Sequence, residues 1–461
     1  MNNRNDENKQ ESELSELKEI SVSLSPLDNA SDFHDLAFLN NILRKQDVRI
    51  VGVGEGTHGT REFSQMKHRL FEFLVKTMDF NIFVIEGGMV RTEELNKYVL
   101  GAPDNPIKLL EKIELFPYAT EEMLDIVEWM RKYNQTAKNK IQFRGCDCDV
   151  QFSLPEASLA LLNNYFVEQK DSNAIKTIGA ITTQLKTIRT KLYNADYIDF
   201  AKQQELRKEI QISRDYQTLI THIDHLANQV HDPWIKQNVM LVKQYAEYHS
   251  DFTARERAMA ENILWLQAQT PGSKIFYWAH NGHVQKDVWP DSTDLWTGGY
   301  LAKKLGEQYF AIASTTYTGT YTAMIPRFGL TDQLMLKTPP PASFEAHVAQ
   351  LNQPITAIDL IEARKKKIPT FLQKPILCRT IGWEASPEPF TLHKLLSNFD
   401  LVIDIHQTSA SRLIGKYRSD IEHMNKAKVY FAYLHQYRDR HPSVQEEFDN
   451  HYGLIRLPKK K

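Results

Sequence analysis

Five titratable side chains follow apolar runs of the sequence at short distances. Glu55 and His58 come after the first run, Glu86 ends the second, and His280 and His283 follow a later one. If these runs are parallel β-strands, their carboxyl ends meet at one edge of a sheet, which is where α/β proteins collect functional groups. Two carboxylates and three imidazoles at one edge could activate water by general acid–base catalysis, or they could bind a divalent metal ion.

The loop that carries Glu55 and His58 is rich in glycine. Only 19 glycines occur in the whole chain, and this short stretch contains Gly52, Gly54, Gly56 and Gly59. Glycine allows positive φ angles and close backbone approach, and both suit a tight turn from a strand into a helix. The loop also matches the pattern G-x-G-x-x-G, so it could bind a dinucleotide, form a purely structural turn, or be catalytic itself.

The charge of Glu55 counts against the nucleotide interpretation. A carboxylate about 4 Å from a phosphate is repelled by about 4 kcal/mol at an effective dielectric constant of about 20. No lysine stands where a Walker A loop requires one, so we favour a catalytic loop. The sequence also lacks a G-x-S-x-G nucleophile elbow and an H-E-x-x-H zinc helix, and Cys146, Cys148 and Cys378 form no strong metal motif.

The apolar pattern predicts the elements that would position these groups. A strand at 48–53, a helix with an apolar stripe over 63–74 and a strand at 82–85 form a βαβ unit, whose crossover makes the two strands parallel. Further strands are predicted at 141–144, 274–279, 309–313 and 399–403. The predicted fold is α/β, with a largely parallel central sheet, helices on both faces and a large all-helical insertion.

This pattern divides the chain into segments. Residues 1–30 are polar and are predicted to form a flexible N-terminal arm. Residues 31–154 and 271–410 would form a discontinuous α/β catalytic core. Between them, 155–270 shows long helical periodicities and no strand pattern, which predicts a helical insertion or lid. Residues 411–461 would form a C-terminal helical segment and tail.

The composition limits the classes of protein that this chain can be. Of its 461 residues, 42% are hydrophobic and 25% are charged, which is typical of a globular protein. A formal net charge of −2 argues against nucleic acid or an anionic membrane as a partner. Three cysteines argue against a disulfide framework, and no apolar run approaches the roughly 18 residues that a membrane span needs. We predict a soluble, cytoplasmic protein and leave its oligomeric state open.

Four segments together resemble a known family. They are similar in type, order and spacing to signature segments of the erythromycin esterase family: Gly54–Phe63, Val84–Glu86, Arg255–Asn262 and Trp278–His283. The similarity covers most of the chain before the C-terminal segment. It implies hydrolysis of the lactone ester of a macrolide antibiotic by water, without an acyl-enzyme, and with it macrolide resistance. The implied partner is a small-molecule macrolide substrate.

The resemblance also implies which residues form the active site, namely Glu55, His58, Glu86, His280 and His283. Members of the family usually carry an arginine nine residues after the first histidine, and here that position is Lys67. Lysine keeps the charge but loses the planar fork that grips a carboxylate or an ester oxygen with two hydrogen bonds. We assign Lys67 to substrate binding.

The roles of these residues stay open at the level of sequence. His58 is the candidate base for water, since an unperturbed imidazole titrates near about pH 6.5, and Glu86 or Glu55 would hold its tautomer. His280 and His283 could be oxyanion donors or the acid for the leaving alcohol. Catalysis without a cofactor is favoured, and a divalent metal ion is the competing hypothesis. The sequence is also compatible with hydrolysis of a different ester or lactone, and with a nucleotide- or metal-binding module.

One helix face in the insertion is a further candidate. Arg255, Met259 and Asn262 are spaced i, i+4, i+7 and share that face. We predict that the face looks toward the site, with Arg255 in an ion pair and with Arg255 and Asn262 binding substrate. The alternative is that the face only docks the insertion on the core. Trp278, which shortly precedes His280, is predicted to be a core residue.

Overall fold

The structure, a computed structural model, describes residues 2–27, 32–194, 200–289, 293–325, 329–366 and 368–426. Its strands are β1 Ser21–Ser23, β2 Ile50–Val53, β3 Ile82–Gly88, β4 Gln142–Asp147, β5 Ile275–Trp278, β6 Tyr309–Thr315, β7 Thr318–Ile325, β8 Gly329–Met335, β9 Ile355–Asp359, β10 Ile376–Arg379, β11 Phe390–His393, β12 Leu401–Ile405 and β13 Gln407–Thr408. Its α-helices are α1 Asn2–Glu19, α2 Ala37–Lys45, α3 Arg61–Met78, α4 Glu93–Val99, α5 Pro106–Lys112, α6 Glu121–Thr136, α7 Glu156–Glu168, α8 Ser172–Asn194, α9 Phe200–Ile212, α10 Arg214–Gln229, α11 Pro233–Ser250, α12 Ala254–Gln269, α13 Asn281–Val284, α14 Thr297–Leu305, α15 Phe344–Val348, α16 Leu360–Ala363, α17 Leu395–Asn398 and α18 Gly415–Lys426.

Eight strands form one central sheet in the order β1-β9-β12-β6-β2-β5-β3-β4. The six strands from β12 to β4 are mutually parallel. β9 is antiparallel to β12, and β1 is antiparallel to β9 at the edge. The prediction of an α/β fold with a largely parallel sheet is confirmed. Because β2 lies inside the sheet, the loop that follows it lies centrally on the carboxyl edge.

Helices cover both faces of the sheet. Side chains alternate between the two faces along each strand, so a strand with apolar residues throughout needs a covering layer on each face. Val51 and Val53 of β2 pack into one hydrophobic core together with Leu70 of α3. Ile50 of the same strand packs into the other core together with Met259 of α12. Parallel strands that are buried on both faces carry nearly continuous apolar runs, which is why the sequence pattern located them.

Between β4 and β5, the described residues form six helices, α7 to α12, and contain no strand. The helices before α12 enclose a hydrophobic core of their own, to which Leu162, Leu219 and Tyr245 contribute. α12 differs, since Met259 and Ile263 pack against the central sheet. The last helix of the segment predicted as an insertion therefore also forms part of the helical layer on the sheet.

The N-terminal segment is attached to the sheet. β1 pairs with β9, and Leu17, Ile20 and Leu24 are buried. The backbone N–H of Leu24 also donates to the carbonyl oxygen of Ile355 at 3.0 Å. The flexible arm predicted for residues 1–30 is therefore wrong for residues 17–24. A few apolar side chains are enough to anchor this segment, and its mainly polar composition does not reveal them.

Two smaller sheets contain strands that the sequence pattern did not predict. β7 pairs with β8 and β13, and β10 pairs with β11. β11 is largely exposed, with Leu392 66% exposed, so it lacks the buried apolar run that marks a central strand. Of the C-terminal segment predicted at 411–461, α18 is helical, and residues 427–461 lie outside the described residues.

None of the described helices is both long and apolar enough to cross a lipid bilayer.

Candidate active site

The carboxyl ends of four neighbouring strands meet at one edge of the central sheet. In spatial order these are β2, β5, β3 and β4. Contacts at this edge connect the five predicted residues in the order Glu55, His58, His280, Glu86 and His283. The structure therefore brings together side chains that are more than 200 residues apart in the chain.

The glycines of the loop between β2 and α3 allow neighbouring segments of the chain to lie close to the loop backbone. A Cβ on Gly54 would collide with Asn281, and one on Gly59 would collide with the carbonyl group of Thr322. None of the four loop glycines has a positive φ, so that part of the sequence expectation is wrong. Protein atoms occupy the space beside the loop and Glu55 is buried, which does not match a cradle for a pyrophosphate.

Glu55 is the buried centre of one half of the site. Its Oε1 accepts a hydrogen bond from Nδ1 of His58 at 2.8 Å. Its Oε2 accepts from Nζ of Lys67 at 2.8 Å and from Nε1 of Trp278 at 3.1 Å. Although burial opposes the shift, Lys67 and His58 hold the pKa of Glu55 below its usual range. The carboxylate is therefore charged and fixed in orientation.

Lys67 lies behind Glu55. Its side chain is completely buried, and its Nζ is 4.3 Å from the centre of the Trp278 ring, which is itself buried in the core. Burial lowers the pKa of Lys67 to about 8, although the charge of Glu55 opposes that shift. The assignment of Lys67 to substrate binding is corrected by this position, because its ammonium group is already bound to the carboxylate of Glu55 and supports that residue.

His58 has one ring nitrogen bound to the protein. The carboxylate of Glu55 can only accept a hydrogen bond, so Nδ1 of His58 carries a proton and Nε2 is the nitrogen left for a further contact. The side chain is 13% exposed, so it lies at the boundary between the buried carboxylate and solvent. A neutral imidazole in this tautomer is the form that can take a proton from water.

His280 has the opposite tautomer. Its Nδ1 accepts a hydrogen bond from the backbone N–H of Gly282 at 3.2 Å, at the start of α13, so the proton lies on Nε2. Burial, together with the nearby His58 and His283, lowers the pKa of His280 to about 3, and the ring is neutral. Nε2 is buried and has no hydrogen-bond partner among the described residues. Its ring centre is 5.2 Å from that of His58, so an unused donor lies beside the candidate base.

His283 is held between two carboxylates. Its Nδ1 lies 2.9 Å from Oε2 of Glu256, and its Nε2 lies 3.0 Å from Oε1 of Glu86. Burial alone would lower the pKa of His283, but Glu256 and Glu86 outweigh it and raise that pKa to about 10. The two histidines of the pair therefore differ, since His280 is neutral and His283 is a buried cation.

Arg255 joins the second half of the site. Its Nη2 donates to Oε1 of Glu86 at 2.8 Å and to Oδ2 of Asp147 at 2.6 Å, and its Nε donates to the same Asp147 oxygen at 2.9 Å. Arg255 is thus in the ion pair that the sequence predicted for it. The backbone N–H of His280 contacts the other oxygen of Glu86 at 3.3 Å, so Glu86 connects both histidines to Arg255.

The rest of that helix face lies against the sheet. Met259 and Asn262 are completely buried. The side-chain amide of Asn262 donates to the carbonyl oxygen of Cys146 at 2.8 Å and accepts from Nε2 of Gln237 at 2.7 Å. The structure therefore does not bring Asn262 to the site, and its assignment to substrate binding is corrected: it docks α12 on β4, while Arg255 of the same face reaches the cluster.

Two residues of the site were missed by sequence reasoning. Asp147 ends β4 and is buried, so the rule that selected Glu86 at the end of β3 could have selected it too. Glu256 gave no comparable signal, because it lies on a helix and only the fold brings it to His283. Its Oε2 also accepts from the backbone N–H and from the hydroxyl of Thr297, at 3.1 Å and 2.7 Å.

The donors that a metal ion would need are largely engaged. In the part of the chain that the structure describes, no three His, Cys, Asp or Glu side chains are grouped to hold a metal ion. Both nitrogens of His283 face carboxylates, and Nδ1 of His58 faces Glu55. Of the three imidazoles, only those of His58 and His280 thus have a ring nitrogen without a described protein partner. The one on His280 carries a proton, so it is not a metal ligand in this form.

The sequence matches the erythromycin esterase family over residues 75–408. The chain belongs to the erythromycin esterase family. The match begins after the loop of Glu55 and His58, so these two residues are assigned from the geometry and from the resemblance of the loop. Membership of the family supports an esterase-type hydrolase.

Individual proteins agree with membership of the erythromycin esterase family. An erythromycin esterase type II from Escherichia coli is 24% identical over 361 residues, which are 70% of this chain and 82% of the relative. Two solved structures share the fold. A succinoglycan biosynthesis protein has a TM-score of 0.69 at 22% identity, covering 88% of this chain and 99% of the other. An erythromycin esterase mutant in its open conformation has a TM-score of 0.62 at 19% identity, covering 86% of this chain and 99% of the other.

Proposed function

We propose that the protein hydrolyses the lactone ester of macrolides by direct attack of a water molecule that His58 activates. The observation that carries this proposal is the adjacent pair of His58 and His280, which engage opposite ring nitrogens: Nδ1 of His58 is bound to Glu55 and leaves Nε2, whereas Nδ1 of His280 is bound to Gly282 and leaves an unused N–H on Nε2. The substrate class is taken from the family and from the relative named an erythromycin esterase.

In the first step, His58 acts as the general base. A water oxygen attacks the lactone carbonyl carbon, and Nε2 of His58 takes one proton from that water. The developing imidazolium is stabilised by the charged carboxylate of Glu55, which Lys67 and Trp278 hold in place. This is the role of the acidic member of a catalytic triad, with water in the place of the nucleophilic serine.

In the same step, negative charge develops on the carbonyl oxygen. His280 donates to it through Nε2–H, which has no other described partner and lies in a buried position where a hydrogen bond to an anion is strong. A neutral donor suits this task because it need not give up its proton. When the ester C–O bond breaks, the proton on His58 passes to the departing alkoxide. The ring-opened product carries an alcohol and a carboxylic acid, and the acid then loses its proton to solvent.

The remaining charged groups position these histidines. Glu86 receives the backbone N–H of His280 and pairs with the imidazolium of His283, and Arg255 anchors Glu86 to Asp147. Since both nitrogens of His283 face carboxylates, we do not assign it to the leaving alcohol. Its permanent charge instead offsets the two buried carboxylates and keeps Glu86 ionised, and the pKa of Glu86 lies well below its usual value although burial opposes that shift.

The proposal is tested by incubating the protein with 14-membered and 16-membered macrolides and measuring their mass. We expect the product to gain one water, and we expect His58→Ala to abolish this gain, because the other two histidines of the described site have their accepting nitrogens engaged by Gly282, Glu256 and Glu86. His225→Ala is the matched control, since His225 is exposed on α10 in the insertion. A wild-type protein that leaves every macrolide intact would overturn the proposal.

Two further measurements complete this test. The same assay after treatment with a chelator addresses the metal hypothesis: we expect full activity, and activity that disappears and returns only with a divalent ion would overturn the role of His58 as base. Expression in a macrolide-sensitive bacterium addresses resistance. The proposed hydrolysis should raise the inhibitory concentration of the macrolides that the protein opens, and His58→Ala should not.

A further inference from the structure

A row of aromatic rings begins at His283. The ring centre of Trp296 is 5.9 Å from that of His283, Trp289 is 4.1 Å from Trp296, and Phe252 is 5.4 Å from Trp289. Trp289 and Trp296 are both partly exposed. Large aromatic side chains are normally buried for the free energy that burial provides, so two partly exposed tryptophans in contact beside a candidate catalytic cluster require an explanation.

Backbone contacts hold the two tryptophan residues next to each other. Val288 and Leu295 form an isolated antiparallel bridge. The backbone N–H of Trp289 donates to the carbonyl oxygen of Asp294 at 2.6 Å, and that of Trp296 donates to the carbonyl oxygen of Asp287 at 3.2 Å. Backbone hydrogen bonds between residues 287–289 and residues 294–296 therefore fix the two tryptophans.

The carboxylate of Glu256 contacts both the candidate site and the backbone next to this row of rings. Oε2 of Glu256 faces Nδ1 of His283 at 2.9 Å and also accepts from the backbone N–H of Thr297, the residue after Trp296. The position of Trp296 is thus set by the same buried group that sets the position of His283. A molecule that reacts at His58 and His280 and extends past His283 would next meet the tryptophan rings.

We propose that Trp289 and Trp296 form the surface that binds the broad apolar ring face of the substrate, and that they thereby contribute to selection of large lactones. This inference rests on the proposed function and extends it to residues that hold the part of the substrate that does not react. Flat aromatic rings bind apolar ring faces through burial and dispersion, and they lose little conformational freedom in doing so. Binding that is equal in the ground state and the transition state affects KM and leaves kcat unchanged.

The test compares kinetic constants of variants on a 14-membered macrolide. We expect Trp289→Leu and Trp296→Leu each to raise KM about tenfold while kcat stays within about twofold. Trp289→Tyr, which keeps an aromatic ring, should recover most of the affinity. Trp265→Leu is the matched control, because Trp265 forms a similar partly exposed pair with Trp234, with 5.9 Å between the ring centres. Trp265 lies on α12, about ten residues after Arg255. Trp265→Leu should change neither constant.

A binding measurement separates this inference from the proposed function. Quenching of tryptophan fluorescence by the same macrolide is recorded in a His58→Ala background, where turnover does not interfere. Loss of quenching and weaker binding in the Trp289→Leu and Trp296→Leu forms would support the surface even if no lactone is hydrolysed. Hydrolysis that proceeds with KM unchanged in both variants would overturn the surface and leave the proposed function intact, and so would Trp265→Leu raising KM equally.

Discussion

His280 and His283 lie three residues apart, and their protonation states are opposite because their partners differ. A backbone N–H caps one nitrogen of His280, and burial keeps its ring neutral. Two carboxylates surround His283 and keep it charged. Two histidines within one helical turn of each other therefore supply both a neutral hydrogen-bond donor and a fixed positive charge.

At the scale of single residues, the donor role of His280 predicts a specific loss. His280→Ser keeps a side-chain oxygen that can accept the N–H of Gly282 and cap α13, but it removes the Nε2–H. We expect kcat on a macrolide to fall about 100- to 1000-fold with little change in KM, which is the usual cost of one oxyanion donor. Steady-state kinetics check this, with thermal unfolding as the control for folding. A variant with unchanged kcat would show that the carbonyl oxygen is stabilised elsewhere.

Lys67 predicts a pH dependence. Its pKa of about 8 means that its ammonium group is charged below that pH and neutral above it. As the pH rises through about 8, Glu55 loses its cationic partner, so we expect kcat/KM to fall on the alkaline side. Lys67→Arg should extend activity to higher pH, because a guanidinium stays charged throughout this range. Profiles from about pH 6 to about pH 10 for both proteins test this, and identical alkaline limbs would contradict it.

At the scale of elements, the face of α12 divides between two tasks. Arg255, near its start, reaches the cluster, whereas Asn262, two turns later, bonds to β4 and α11. A regular helix places both residues on one side. Arg255 donates to Asp147, the last residue of β4, whereas Asn262 donates to the backbone carbonyl oxygen of Cys146, the residue before it. Helical periodicity predicted the shared face correctly, but it could not show which residue of that face would reach the charged side chains.

Asn262 therefore predicts a change in stability and not in catalysis. Asn262→Ala leaves the carbonyl group of Cys146 and the amide of Gln237 without their partner in a fully buried position. We expect the free energy of unfolding to fall by about 1–3 kcal/mol, the usual cost of a buried polar group left unpaired. KM should stay unchanged. Urea unfolding and steady-state kinetics measure the two quantities, and a raised KM at unchanged stability would return Asn262 to the substrate-binding residues.

The elements that could be predicted from sequence are those buried on both faces. β2, β3 and β5 are each fully buried and contain the apolar runs 50–53, 82–85 and 275–278, and the sequence located all three. β1 and β11 have only partly buried or exposed positions and carry no such run, so their apolar residues gave no pattern. The predicted site followed from the strands, since groups just beyond parallel strands must share an edge.

At the scale of the whole molecule, the site depends on contacts between distant parts of the chain. Trp278 donates to Glu55 across 223 positions, and Arg255 pairs with Glu86 across 169. The identities of the five central residues could be predicted from where each follows a strand. Their protonation states could not, because they are set by Glu256, Gly282 and Lys67, whose positions are known only once the fold is formed.

The most direct test of the account is chemical rescue of His58→Ala. Removing the side chain leaves Glu55, Lys67 and the Nε2–H of His280 in place and takes away only the group that accepts the proton from water. We expect added imidazole to restore macrolide hydrolysis in proportion to the concentration of its neutral form, and to leave the reduced activity of His280→Ser unchanged. Hydrolysis by His58→Ala at the wild-type rate without imidazole would contradict the account.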